Sequence, residues 1–133
     1  MILIFCVDDN FGLMFNKRRQ SRDSVVIEDI KNCFTGKKIC ISPYSEKLFK
    51  EAGVDYTICE SFENQDEICF VEDKYTRDLL KKADSVVIYH WNRLYPSDVK
   101  LDYQIIVDNF RLAEALTFKG SSHNEIERER YTR

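Results

Sequence analysis

The chain has 133 residues, of which 44% are hydrophobic and 13% aromatic, enough for one domain with its own core. Its formal net charge of −3 gives no overall attraction to nucleic acid or to an anionic membrane. The opening apolar run, residues 2–7, is too short to cross a bilayer and lacks the basic flank of a signal peptide. We therefore expect a single domain over residues 1–133, a cytosolic location and no membrane partner.

Apolar runs separated by turn residues predict strands alternating with helices along the chain. The predicted strands are residues 2–7, 38–42, 55–59, 68–71, 85–91, 103–110 and 116–119. Helices are predicted at residues 24–34, 45–53 and 73–82, the first with Asp23 or Ser24 as its cap. Such alternation indicates an α/β fold with a mainly parallel sheet and helices on both faces. The last strands follow each other directly, which indicates an antiparallel C-terminal hairpin.

Two polar segments flank these elements. Residues 13–23 are basic and loop-like, and residues 125–132 alternate charged and other side chains. The second pattern suits an exposed edge strand, where charge prevents aggregation, or a solvated tail.

No metal site is predicted. Asp8 and Asp9 are neighbours on an extended chain and point to opposite faces, so a turn role is favoured for them over a shared ion. The cysteines have no Cys-x-x-Cys spacing and fall mostly in apolar runs, which indicates buried free thiols. They are Cys6, Cys33, Cys40, Cys59 and Cys69.

Several segments together carry a resemblance to a known family. The first strand ends in an acidic turn with Asn10 and Gly12, and residues 29–39 read Asp-Ile-Lys-Asn-Cys-Phe-Thr-Gly-Lys-Lys-Ile. Residues 70–88, 95–98 and 121–128 follow with a strand-helix-strand unit, a Tyr-Pro segment and a Ser-Ser-His hairpin. In this order the segments resemble dihydrofolate reductase over most of the chain. The resemblance implies that fold and carries less information on function.

The positions that would bind the family's nicotinamide cofactor depart from its pattern. The family has Gly-Arg-x-Thr/Ser after its second strand, whereas residues 42–45 read Ser-Pro-Tyr-Ser and keep only Ser45 as an anion contact. Two family glycines after the fourth strand are replaced by Glu72 and Asp73, whose charges would repel a pyrophosphate. The resemblance therefore implies a relative without reductase activity and without a cofactor.

An NADPH-dependent reductase with a rebuilt cofactor site is the alternative. The family's substrate-binding acid lies at the start of its first long helix, where Asp29 aligns better than Glu28. The Trp and Pro that precede this acid in the family are absent. Asp29 is therefore the candidate catalytic acid of the alternative only.

The opening of the chain also resembles short bacterial proteins that are sometimes labelled ribonuclease Z. Enzymes of that name need a His-x-His-x-Asp-His metal cluster. This chain has only His90 and His123, so the sequence gives no basis for that activity.

The most distinctive polar feature is a cationic cluster of Lys17, Arg18, Arg19 and Arg22, which follows the first strand. Ligands of α/β folds bind beyond the carboxyl ends of the strands, so this cluster is a candidate site for a phosphate, a carboxylate or a nucleic-acid backbone. A solvated loop with exposed charges is the alternative, and the favoured one.

Two further segments contain residues of chemically useful types. Trp91 and Arg93 end the fifth strand, where they can stack a flat ligand or serve a structural purpose. Ser122 and His123 have the residue types of a nucleophile and its base, but adjacent side chains diverge and no third, orienting group is identifiable. The hairpin role is therefore favoured for this pair.

These observations leave three functions open. We favour a non-catalytic relative that binds an anionic small molecule, such as a nucleotide or a pterin-like ring, through the basic segment and Trp91. The second is the reductase described above. The third is an interaction protein, a homodimer through an exposed sheet edge or a module that binds RNA or a protein partner through residues 17–22.

Overall fold

A computed structural model describes residues 1–133 and contains ten strands and four helices. The strands are β1 (Ile2–Val7), β2 (Gly12–Phe15), β3 (Arg18–Arg19), β4 (Ile39–Ile41), β5 (Tyr56–Ile58), β6 (Ile68–Phe70), β7 (Ser85–His90), β8 (Val99–Lys100), β9 (Arg111–Phe118) and β10 (Ile126–Thr132). The helices are α1 (Ser24–Cys33), α2 (Glu46–Ala52), α3 (Arg77–Lys82) and α4 (Tyr103–Asn109). None of these helices has the length and apolar character that a membrane crossing requires.

Strand β1 lies at the centre of a seven-stranded sheet with the order β5-β4-β6-β1-β7-β10-β9. It pairs in parallel with β6 and β7, and β4 pairs in parallel with β5 and β6. Strand β10 runs antiparallel to both β7 and β9. The predicted mainly parallel sheet with an antiparallel C-terminal hairpin is confirmed. An apolar β1 suits this central place because both faces of a parallel sheet are covered.

Helices cover both faces of the sheet, as predicted. Ile30 of α1 and Phe49 of α2 pack on one face, and Leu80 of α3 and Ile106 of α4 pack on the other. All four side chains are fully buried. Burial of each contributes roughly 1.5–3 kcal/mol, so the two layers of side chains are the main source of stability.

Residues 103–110, which the sequence predicts as a strand, form α4 instead. The side chain of Asp102 caps this helix by accepting a hydrogen bond from the backbone amide of Gln104 at 3.2 Å. Ile105 and Ile106 are buried against the sheet while Val107 is 55% exposed, which is the spacing of a helix face. The run of β-branched residues favours a strand by propensity alone, and packing overrides that preference. The strand prediction was wrong here.

Residues 13–23, which the sequence predicts as a loop, contain the hairpin of β2 and β3. Its turn consists of Asn16 and Lys17, both with positive φ, 50° and 62°. Two such residues form the tight turn that matches the twist of paired strands. The hairpin joins β8 in a second, three-stranded sheet.

Strand β10 lies inside the main sheet, so the prediction of an edge strand or a solvated tail for residues 125–132 was wrong. Two of its charged side chains, Arg128 and Glu129, have partners in other elements. Arg128 donates to Asp29 at 2.7 Å and to Glu114 at 2.9 Å, and Glu129 is bonded to His90. These pairs explain how a segment dense in charge fits between two strands. The edges of the sheet are β5 and β9.

Candidate functional site

A cleft lies beyond the carboxyl ends of β1 and β6, where α1 begins. It contains about 380 Å³ of space between the atoms, part of it open to solvent. One wall is apolar and consists mainly of Leu13, Ile27, Leu48, Phe70, Val71 and Trp91. The polar side consists of Glu72 and the consecutive residues Arg19, Gln20, Ser21, Arg22 and Asp23. Its position agrees with the general location of ligand sites in α/β sheets.

The carboxylate of Asp23 connects the start of α1 to the loop between β9 and β10. It caps α1 by accepting a hydrogen bond from the backbone amide of Val25 at 2.9 Å. It also accepts from the backbone amides of Ser121 and Ser122, both at 2.9 Å, and from the Ser121 hydroxyl at 3.0 Å. The side chain is fully buried, so these donors replace the water that the charge has lost.

The ring of His123 lies between Asp23 and Ser21. Its Nδ1 is 2.9 Å from the Asp23 carboxylate, and its Nε2 is 3.0 Å from the Ser21 hydroxyl and 3.1 Å from the Tyr95 hydroxyl. Because the carboxylate only accepts, Nδ1 carries the proton and Nε2 of the neutral ring accepts from a hydroxyl. The ring stacks on Trp91 with 4.7 Å between centroids. An Asp–His–Ser chain of this kind can withdraw a proton from the serine.

A glycine permits the close approach of the loop to α1. A Cβ at Gly120 would lie 2.4 Å from Oδ2 of Asp23, far inside van der Waals contact. Any larger residue at this position would displace the carboxylate from its donors. The loop and the cap of α1 are thus fitted to each other.

Asp8 organises the turn that follows β1 and contacts Gln20 of the cleft. Its buried carboxylate accepts from the backbone amides of Asn10, Gly12 and Tyr95 and from the side-chain amide of Gln20, at 2.7–3.1 Å. These contacts close the turn after β1 and attach it to the segment after β7. The predicted turn role of Asp8 is thereby confirmed.

The side-chain amide of Gln20 has one unpartnered atom. Its Nε2 donates to Asp8 and to the carbonyl of Pro96, both at 3.1 Å. Since both partners are acceptors, the nitrogen must face them and the orientation of the amide is settled. The oxygen Oε1 is buried and has no hydrogen-bond partner in the protein. Buried polar atoms normally have a partner, so this acceptor is an exception among the buried polar side chains of the protein.

Arg19 and Ser45, two of the predicted anion contacts, bind a carboxylate of the protein itself. Arg19 donates two hydrogen bonds of 2.8 Å to Glu72, and the Ser45 hydroxyl donates to Glu72 at 2.8 Å. The Ser42 hydroxyl likewise donates to Asp73 at 2.6 Å. The hydrogen bond with Glu72 raises the pKa of Arg19 above its ordinary value. Glu72 and Asp73 thus occupy the donors that a ligand phosphate would use.

The remaining cations of the predicted cluster are dispersed. Lys17 and Arg18 lie exposed at the tip of the hairpin. Arg22 lies at the edge of the cleft and pairs with Glu51 at 3.0 Å, both side chains being about half exposed. Of the four cluster residues, Arg19 and Arg22 line the cleft.

Trp91 and Arg93 have different surroundings although they are close in sequence. Trp91 is only 4% exposed and forms part of the cleft wall, with His123 stacked on its ring. Arg93 is exposed and donates to the carbonyl of Ser122 at 3.3 Å. Arg93 therefore supports the loop that carries His123.

Asp29, the candidate acid of the reductase alternative, is not among the residues that line the cleft. It accepts from the Tyr89 hydroxyl at 2.6 Å and from Arg128 at 2.7 Å. Burial raises the pKa of Tyr89, and the hydrogen bond with Asp29 adds to that shift. Asp29 thus anchors α1 to β7 and β10.

The fold brings together possible metal ligands that are distant in sequence. In two groups the ligand atoms lie within 4.8 Å of one another: Cys40, Cys59 and Glu67, and His90, Glu127 and Glu129. Burial raises the pKa of the Cys40 thiol far above its usual range, which favours the protonated form.

All five cysteines are free, but Cys33 is exposed, so the expectation of buried thiols holds only in part.

Sequence reasoning did not identify Ser21 and Asp23 as members of a site. It expected the side chains of Ser122 and His123 to diverge, whereas the Ser122 hydroxyl lies 3.1 Å from Nδ1 of His123. The orienting group it could not identify is Asp23, which is 100 residues away. The only local signal, an Asp at the start of a helix, is that of any ordinary cap.

Substitution of Asp23 by Asn should reduce the loss of stability that the protein undergoes at low pH. Burial opposes ionisation of Asp23, but the donors Ser121, His123, Ser122 and Val25 outweigh it and hold the pKa well below the usual range. A lowered carboxyl pKa contributes stability above the unfolded-state value of 3.8, and this contribution is lost as the pH falls below it. Urea unfolding at several pH values should show a smaller loss below pH 3.8 for Asp23→Asn than for the native chain.

At neutral pH the Asp23→Asn variant should be less stable by about 2–4 kcal/mol, because its amide group faces donors. Asp9→Asn, at an exposed turn position, is the matched control and should remain close to native. If the free energy of unfolding fell equally with pH for the native chain and for Asp23→Asn, the negative charge assigned to the Asp23 carboxylate would be contradicted.

Substitution of Glu72 by Gln should turn an occupied anion site into an open one. The loss of charged hydrogen bonds to Arg19 should cost about 1.5–3 kcal/mol in the free energy of unfolding. Sulfate should then stabilise Glu72→Gln more than the native chain, since Arg19 and Ser45 become available. Glu114→Gln removes an exposed partner of Arg128, outside the cleft, and should respond to sulfate as the native chain does. The same sulfate response in all three proteins would show that Glu72 does not block an anion.

The architecture described above is that of a known solved structure. The chain is similar to the dihydrofolate reductase from Enterococcus faecalis complexed with NADP(H) and RAB-propyl, with a TM-score of 0.63 over 99% of this chain and 95% of that one. No family model and no curated protein sequence matches the chain. The sequence identity with the reductase is 10%, so the similarity concerns the fold and not the activity. The chain has a dihydrofolate reductase-like fold.

Proposed function

We propose that this protein binds a small molecule with an anionic group, such as a nucleotide, in the cleft beyond β1 and β6, and that it is not a reductase. The observation that carries the proposal is the unpartnered buried acceptor Oε1 of Gln20 in the polar side of that cleft. A cytosolic location, as expected from the sequence, is part of the proposal.

The cleft has the properties of a small-ligand site. It lies beyond the carboxyl ends of the strands, where ligands of α/β sheets bind. Its apolar wall suits a flat or aliphatic group, and Gln20 suits a ligand N–H or O–H donor. A few polar groups opposite an apolar surface are the usual means of orienting a small molecule.

Arg22 is the cation that a ligand can reach. Arg19 is neutralised by two hydrogen bonds to Glu72, whereas the partner of Arg22, Glu51, is about half exposed. Exposed pairs of that kind contribute only about 0–1 kcal/mol. A phosphate or carboxylate of the ligand can therefore replace Glu51 at little cost.

The neighbouring region argues against a nicotinamide cofactor. The E. faecalis reductase binds NADP(H). In this chain an adjoining cavity is lined by Glu72, Asp73 and Asp98 against a single cation, Lys17. Three carboxylates would repel a pyrophosphate, and the nearby serine hydroxyls already donate to two of them.

Thermal unfolding in the presence of each member of a panel of nucleotides, folates and NADPH tests the proposal. A ligand that binds only the folded chain adds about 2.7 kcal/mol of stability at about 100 times its Kd. We expect at least one nucleotide to raise the melting temperature and NADPH to leave it unchanged. Arg22→Gln should abolish the shift, and the control Arg18→Gln, an exposed cation outside the cleft, should retain it.

A shift with NADPH would overturn the assignment of a non-reductase and would make a reductase assay necessary. A nucleotide shift that Arg18→Gln abolishes and Arg22→Gln keeps would move the site to the hairpin. If no compound shifted the melting temperature, the proposal would fail, and RNA or a protein partner on the exposed Lys17 and Arg18 would be favoured.

Homodimerisation through β9 is a second candidate role. This edge strand is exposed over nearly all of its eight residues, and Leu112 and Leu116 are 51% and 47% exposed. A long apolar edge tends to pair with another strand, and β9 of a second copy would cover both leucines around a twofold axis.

Light scattering should therefore give twice the mass of one chain. Leu116→Lys should return the mass to that of one chain, because it places a charge in the paired edge. Leu94→Lys, at a residue 65% exposed and outside β9, is the control. A single-chain mass for the native protein at all concentrations would contradict the dimer.

A further inference from the structure

The chain of hydrogen bonds from Asp23 through His123 ends on Ser21, and Ser21 lines the cleft. We propose that Ser21 is a nucleophile, that His123 is its general base, and that the protein hydrolyses a small carboxylic ester. The proposal deepens the function given above and rests on the cleft being the ligand site.

The distances suit proton transfer. The Ser21 hydroxyl lies 3.0 Å from Nε2 of His123, within the range for a nucleophile and its base. On the far side of the ring, Asp23 contacts Nδ1 at 2.9 Å and fixes the tautomer that leaves Nε2 free to accept. Asp23 is therefore a positioning residue, while Ser21 and His123 touch the reacting atoms.

The Tyr95 hydroxyl is the second group close to Nε2, at 3.1 Å. It also lies 3.4 Å from the Ser21 oxygen, to which it can donate. When Tyr95 donates to Ser21, the Ser21 proton points at Nε2 of His123. The three groups then form one directed path for the proton.

Other nucleophiles near the cleft are less suited. The Ser122 hydroxyl lies 3.1 Å from Nδ1, the ring nitrogen that already carries a proton for Asp23. Cys6 lines the cleft, but burial raises the pKa of its thiol, and the charge of Glu72 adds to the shift. The thiol therefore stays protonated, and only the thiolate is an effective nucleophile.

The reaction balances with water as the only other reactant. The Ser21 oxygen forms a bond to the ester carbonyl carbon, the carbonyl π electrons move to oxygen, and the Ser21 proton passes to Nε2 of His123. As the carbonyl re-forms, the bond to the alkoxy oxygen breaks and that oxygen takes the proton from Nε2. Water, activated by the same nitrogen, then attacks the acyl group on Ser21 and releases a carboxylic acid and free Ser21.

The lining of the cleft selects the class of ester. Its lining combines an apolar wall with a polar side that contains Ser21. Arg22, beside Ser21 in sequence and on the same lining, favours a substrate with an anionic group. Gln20 offers an acceptor to a substrate N–H or O–H.

A dialkyl fluorophosphate tests the nucleophile without knowledge of the substrate, because it phosphorylates activated serines with loss of fluoride. The full native chain should gain the mass of one adduct at pH 8, and peptide mass mapping should locate it on Ser21. Ser21→Ala and His123→Gln should lower the labelling rate by about 100-fold or more. Ser24→Ala, at an exposed serine three residues along and outside the cleft lining, should label as the native chain does.

A pH profile separates a base from a merely structural histidine. Labelling of the native chain should decline in acid, and the residual labelling of His123→Gln should not show that decline. Circular dichroism confirms that each variant is folded before labelling. His123 is buried, so His123→Gln could unfold the chain. In that case the conservative variant Ser21→Ala still tests the proposal.

Several results would overturn the proposal. They are no adduct on the folded native chain, an adduct on a residue other than Ser21, or equal rates for the native chain and Ser21→Ala. Binding of an anionic ligand without labelling would reject the hydrolase and leave the proposed binding function intact. Labelling of Ser21 in a chain that binds no anionic ligand would support the nucleophile and reject the proposed binding function.

Discussion

The buried carboxylate of Asp23 is the interaction on which the rest of the candidate site depends. It completes the first turn of α1, fixes the loop between β9 and β10, and orients the ring of His123. A charge without access to water is tolerated only when several donors surround it. Each donor is therefore constrained by the others, and the cluster has one arrangement that satisfies all of them.

This constraint acts between elements that are far apart in the chain. Residues near position 23 and residues near position 123 belong to opposite ends of the sequence, yet they share one carboxylate. Gly120 is small because the loop must reach that carboxylate. The cleft is consequently built on two elements whose relative position is fixed, as an organised binding or reaction site requires.

The polar region beside the cleft is organised by two carboxylates of the protein itself. Glu72 and Asp73 supply negative charge from within the protein, and Arg19, Ser42 and Ser45 are their partners. The same helix start that would accept an external phosphate is thereby satisfied internally.

Sequence reasoning predicted the architecture better than the site. The central strands and α1 were predictable because apolar runs and a capping residue act locally. The error at α4 arose because Ile105, Ile106 and Val107 favour a strand by propensity, while their burial in the fold is that of a helix face.

The sheet position of β10 could not be predicted either, since its charges are paired with Asp29, Glu114 and His90, which lie in other elements. The Ser21–His123–Asp23 chain was out of reach for the same reason. Its geometry exists only after β10 has entered the sheet and brought the preceding loop to α1. Pairings over such separations leave no pattern in a single sequence.

Because His123 stacks on Trp91, the fluorescence of this tryptophan can be used to observe the candidate site. Trp91 is the only tryptophan of the chain, and its ring lies 4.7 Å from the imidazole, within the wall of the cleft. Any movement of the imidazole, or any change in its protonation, alters the immediate surroundings of the only indole. The chain therefore carries a single indole, whose fluorescence can be excited selectively, and that indole is placed where it reports on the candidate site rather than on the core at large.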